Sequence, residues 1–188
     1  IALLPAVNAA HGADAPTATP AQAPTAPSIA GSWTARVLFP TAIHKTPAGK
    51  VIDKARNIST WTQDPAVYLI TESAVVNGTQ WIRILLPGRP NGRQGWIRQD
   101  AAVLKVMNTW VRVSTKKRTM EIYVNGQLKK RVKVAVGTGG TPTPKGLAAV
   151  QDVVPTRGQL GPYILVLTAH STVLKTFAGG NGVVGIHG

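Results

Sequence analysis

The sequence predicts a mainly β chain: a small antiparallel barrel or sandwich, then a second, separate β region. Three observations predict it. Apolar and polar residues alternate in short runs. Turn residues break those runs about every ten residues. The Asn-Gly pairs in the sequence include those at 77–78, 91–92 and 125–126, and Asn-Gly supplies the positive φ angles that tight hairpin turns need. No stretch carries a convincing helical period.

The elements follow in order. "IALLPAVNAAHGADAP" opens on an apolar run too short to span a bilayer. Val7-Asn8-Ala9 fits the small-x-small rule for signal peptidase, so residues 1–10 read as the remnant of a secretory signal. Residues 11–32 are rich in Ala, Pro and Thr, cannot bury enough surface to offset their ordering entropy, and form an extended linker. Residues 33–106 form the first β domain, with strands in "WTARVLF", "AVYLITESAVV", "WIRILLP" and "GWIRQ". Trp61, Trp81 and Trp96 belong to its core or rim.

The second region, 107–188, opens on the clearest hairpin, with strands near 118–124 and 127–136 about Asn125-Gly126. That turn sets Glu121 opposite Lys130, which is favourable, and Arg118 opposite Lys133, which is not. Either the two cations splay into solvent, which screening favours, or an anion lies between them. "GTGGTPTPKG" fits neither nucleotide fingerprint: Lys145 is followed by Gly146, and Pro142 and Pro144 lack backbone donors. It reads as a rigid Thr-Pro-Thr-Pro turn. "GPYILVLTAH" holds a buried-type strand over 163–169. His170 and Ser171 are no catalytic dyad, because neighbours on a strand point to opposite faces. His44 has no partner in view, and His11 lies in the signal or linker.

Charge and cysteine narrow the function. The net charge is +14; residues 105–188 hold 12 basic and 2 acidic side chains. Such a surface favours an anionic partner: nucleic acid, an acidic membrane surface or an anionic wall polymer. Nucleic acid fits worst, since only Tyr123 interleaves with the basic clusters at 116–118 and 129–133. The absence of cysteine removes disulfides, thiolate metal sites and a thiol nucleophile from these residues. The four histidines show no ligand spacing, so no metal and no cofactor is expected.

"VRVSTKKRTMEIYVNGQLKKRVKVAVGTGGTPTPKG", "GPYILVLTAHS" and "GVVGIHG" together resemble the L,D-transpeptidase catalytic domain of bacterial cell-wall enzymes, over roughly 107–188. The preceding module, with "LPGRPNGRQGWIR", is similar to the SH3-like domain found before it in actinobacterial members. The resemblance implies a small SH3-like β barrel followed by an incomplete L,D-transpeptidase β-sandwich. It implies acyl transfer through a cysteine thioester on peptidoglycan stem peptides. The family's cysteine sits in a Ser-His-Gly-Cys-x-Arg motif a short way after its Ile-His-Gly histidine. His187 matches that histidine, the general base that raises the thiolate population. Gly188 would let substrate backbone approach closely, and Tyr163 would line the donor cleft or pack with its hydroxyl at the rim.

Three expectations follow. These 188 residues end inside the active site, as a fragment lacking the nucleophile, and are inactive; a genuine pseudoenzyme is the other explanation. The intact protein is exported to periplasm or cell wall, touching membrane only through an uncleaved signal. The alternative function is that of a non-catalytic wall-binding protein.

Overall fold

The computed structural model describes residues 23–177 and 179–188. The expected signal remnant, 1–10, and most of the linker lie outside them. Thirteen β-strands and one short 3-10 turn (Gln99–Ala101) make up the described elements, so the chain is mainly β as its alternation predicts.

The first seven strands are β1 (Ser32–Val37), β2 (Thr41–His44), β3 (Val51–Ala55), β4 (Val67–Val76), β5 (Thr79–Leu85), β6 (Gln94–Arg98) and β7 (Ala102–Met107). They form one antiparallel sheet in the order β3-β2-β6-β5-β4-β1-β7. Period two decides what it buries. Ala35 and Val37 on β1, and Ile82, Ile84 and Leu86 along and just past β5, join Ile43, Ala55, Ile70 and Ile97 in one core cluster. A single sheet supplies that whole cluster, so it wraps around its own core. Trp81 and Trp96 are buried, whereas Trp61 is 44% exposed on the rim.

The Asn-Gly turns behave differently from one another. Asn77-Gly78 and Asn125-Gly126 have positive φ at both residues and close tight hairpins. Asn91-Gly92 does not: only Gly92 is positive, and β5 and β6 are joined by a longer loop over 86–93. That loop is committed elsewhere, as the site shows.

Beyond Met107 the sheet changes. β8 (Thr109–Ser114), β9 (Thr119–Val124) and β10 (Gln127–Lys133) form a three-stranded sheet in the order β10-β9-β8. β11 (Val150–Pro155), β12 (Tyr163–His170) and β13 (Val183–Ile186) form another, in the order β11-β12-β13. The expected pairing of Glu121 with Lys130 is corrected. A β-bulge between Leu128 and Lys130 adds a residue to β10 and shifts the register by one, so Arg131 faces Glu121 and Lys133 faces Thr119. Arg118 sits in the β8–β9 turn at φ 51°, not on the strand, so the like-charge pair does not form.

The shifted register builds an Arg112–Glu121–Arg131 row across the sheet. Arg131 reaches Glu121 Oε1 through Nη2 at 2.7 Å and Arg112 reaches Oε2 at 2.7 Å. Tyr123 Oη donates to Oε2 at 2.8 Å. The Tyr123 hydroxyl first, then Arg131 and Arg112, hold the Glu121 carboxyl down at about 2, against an ordinary 4.5. A depressed carboxyl stabilises the fold above its unfolded pKa and loses that contribution as pH falls toward the folded one. Hence the stability of the β8–β10 sheet is expected to fall between about pH 4.5 and pH 2. A Glu121 carboxyl ¹³C titration will check the midpoint; one near 4.5 would mean that the row is not formed in solution.

The two small sheets have little core of their own. Of the 17 buried apolar side chains described, only Tyr123 and Val166 lie beyond residue 107. One face of the first small sheet carries Val111, Val113, Met120, Ile122 and Val132, and Val111 and Val113 are 39% and 41% exposed.

Candidate active site

β13 brings His187 into place. It pairs antiparallel with β12, Ile186 opposite Leu165 and Gly185 opposite Val166. His187 follows directly, exposed to solvent. Its Nδ1 lies 3.0 Å from the Gly188 carbonyl oxygen. That oxygen only accepts, so Nδ1 is the donor in the contact, and Nε2 has no hydrogen-bond partner among the described residues.

A cavity of ≈ 170 Å³ lies beside this strand. The Thr141–Pro144 segment forms one wall; Ser171, Leu174, Phe177 and Gly182–Val184 form the other. The Thr-Pro-Thr-Pro segment is a folded turn. Gly137 N–H donates to Thr143 Oγ1 at 2.8 Å and Thr141 N–H to the Thr138 carbonyl at 3.2 Å. A Cβ at Gly137 would meet the Thr141 oxygen at 2.1 Å, so only glycine lets the chain fold back this closely. A larger depression of ≈ 450 Å³ lies on the first module, around Gln80, Arg98, Gln99 and Asp100. Its charged lining residues, Arg98 and Asp100, form an exposed ion pair.

The other expected residues fall as follows. Tyr163 is 54% exposed at the start of β12, opposite Pro155, so its ring is not packed into a core. A Cβ at Gly188 would meet Gly161 Cα at 3.7 Å, an ordinary contact. His170 is 3% exposed, and its Nδ1 donates to the Thr168 carbonyl at 3.3 Å. Ser171 Oγ accepts the N–H groups of Val173 and Leu174. The two side chains are thus used separately. His44 does find partners: Nδ1 contacts the Gly49 carbonyl at 2.7 Å, and the ring meets Trp81 edge-on at 5.0 Å. Among the described residues no group of three or more metal-ligating side chains gathers, and no helix is long and apolar enough to cross a membrane.

Sequence reasoning missed the residues that fasten the site to the first module. Arg89, in the 86–93 loop, donates through Nε and Nη2 to the Ser171 carbonyl at 3.1 and 2.9 Å. It also donates to the carbonyls of Leu174 and Asn181, each at 2.9 Å. Asn91 donates to the His170 carbonyl at 2.7 Å and accepts its N–H at 2.8 Å. On β11, Asp152 is buried and accepts from the hydroxyls of Ser59 and Thr62. The one available signal was an Asn-Gly flanked by Arg and Pro in a loop longer than a hairpin needs; the sequence read it as a turn.

Residues 108–187 match the family model of the YkuD L,D-transpeptidase catalytic domain. This stretch is similar to the L,D-transpeptidase catalytic domain. It covers fewer than half of the 188 residues, and β8–β13 and His187 fall within it. That family's general activity is acyl transfer, and its general substrate is peptidoglycan. No curated protein and no solved structure matches the chain.

Proposed function

We propose that the gene product is an exported peptidoglycan L,D-transpeptidase that cross-links stem peptides through a cysteine thioester. His187 is its general base, and the thiol comes from residues outside these 188. The observation that carries the reading is His187 itself: exposed directly after β13, within the stretch that matches the family.

The chemistry follows from that placement. His187 Nε2 takes the thiol proton, and the thiolate attacks the donor-stem carbonyl. The carbon–nitrogen bond to the terminal D-amino acid breaks, and the imidazolium returns the proton to the leaving amine. A thioester remains. The side-chain amine of a diamino acid on a neighbouring stem attacks it, forming the cross-link and restoring the thiol. Gly188 and Tyr163 border the donor stem.

Two observations support the absence of the thiol from these residues. They hold no cysteine, and residues 108–188 bury almost no core of their own while leaving an apolar sheet face open. Residues 107–188 are then an incomplete catalytic domain. Residues 33–106 are an SH3-like module, 11–32 a tether and 1–10 the remnant of an export signal. The charge of +14 suits a wall bearing carboxylates and phosphates, in periplasm or cell wall.

Release of the terminal D-amino acid from a stem peptide tests the proposal. The 188-residue chain is expected to release none. The gene product read through a downstream Ser-His-Gly-Cys motif is expected to release it. If that longer product also releases none but sediments with wall, the protein is a wall binder and not a transpeptidase.

A further inference from the structure

We infer that the first module is part of the catalytic unit, with Arg89 as a positioning residue for the groove and for the strand that carries His187. The inference rests on the transpeptidase reading.

The geometry is one of convergence. The segment between β12 and β13 holds no strand among its described residues, yet Ser171, Leu174, Phe177 and Gly182 form one wall of the groove, and it leads into β13. Backbone carbonyls without partners leave such a segment undefined. One guanidinium satisfies three of them, those of Ser171, Leu174 and Asn181. A planar fork with fixed donors does this; an ammonium is a point charge and does not. Asn91 pins the segment's start, by a two-way bond with the His170 backbone. Gly182 makes room: a Cβ there would meet the Leu174 oxygen at 2.1 Å and Arg89 Nη2 at 2.9 Å. The following residues, Val183 and Val184, line the groove, and His187 comes three residues later on the same run.

A base must sit within hydrogen-bond reach of its proton, and misplacement by about 1 Å can cost about 100-fold. Loss of Arg89 frees the segment at three points and lets β13 drift with it. The first module therefore sets the site's geometry, in addition to any tethering or wall contact.

The test uses Arg89→Ala, Arg89→Lys and, as a control, Arg98→Ala, whose exposed pair with Asp100 lies away from the groove wall. Amide NMR of the 188-residue chain reads geometry, and D-amino acid release by the cysteine-bearing gene product reads function. Arg89→Ala is expected to move the amide signals of Ser171 to His187 and to lower kcat/KM by about 10- to 100-fold. The first module's core signals stay in place. Arg89→Lys recovers little, and Arg98→Ala matches the unsubstituted protein. Unmoved amides, or moved amides with unchanged kinetics, overturn the inference, as does full recovery by lysine. A product inactive before any substitution overturns the transpeptidase reading and this inference with it, and is distinguished by appearing in the unsubstituted protein.

Discussion

On the proposed mechanism, His187→Gln in a gene product that carries the Ser-His-Gly-Cys motif is expected to lower transpeptidation by about 10²- to 10⁴-fold, the usual contribution of a positioned general base. Glutamine keeps a polar side chain at an exposed strand end, so the fold is unaffected. The loss falls on kcat, because the imidazole acts on the proton and not on the stem peptide. It also depends on pH. Above the ordinary thiol pKa of about 8.5 the cysteine ionises unaided, and the gap between variant and parent narrows. A pH–rate profile of both proteins is the check. A variant within twofold of the parent at neutral pH would remove His187 from the mechanism.

Ser59→Ala combined with Thr62→Ala is expected to produce a large loss of stability at the contact between the modules. Both hydroxyls donate to Asp152, which is only 7% exposed. Removing them leaves a buried carboxylate without these donors, which costs more than a hydrogen bond is worth when made: about 1–3 kcal/mol per group. Ser59 Oγ also accepts the Trp61 N–H at 2.9 Å, so its own loop loosens as well. A total near 3 kcal/mol corresponds to a fall in Tm of roughly 6–12 °C for a chain of this size. Calorimetry of the 188-residue chain measures it. Asp152→Asn added to the double variant removes the charge and is expected to recover part of the loss. No recovery would mean that the cost arises in the Ser59 loop alone.

The contrast between what was legible in the sequence and what was not has a physical basis. Strand positions were legible because period two and turn chemistry are local: "AVYLITESAVV" became β4, and Asn125-Gly126 closed its hairpin. The register past that turn was not, because nothing local marks the Lys129 bulge, and one extra residue re-pairs every charge on β10. The strand that leads to His187 was legible in "GVVGIHG". Its supporting contacts were not, since Arg89 and Asn91 lie about 80–90 residues from the carbonyls they bind. Polar contacts between modules carry no periodic signature, and Asn91 was read for its backbone when its side chain carries the role. The single most misleading pair was Arg118 and Lys133, where an expected repulsion vanished once the turn absorbed one partner.

The most direct measurement of the central claim is the intact mass of the cysteine-bearing gene product after brief exposure to a stem tetrapeptide. The account predicts a protein heavier by the stem less its terminal D-amino acid, with the added mass on the cysteine as a thioester that hydroxylamine removes, and no such adduct on the 188-residue chain. An unmodified cysteine in a folded protein, or an adduct on any other residue, would contradict it.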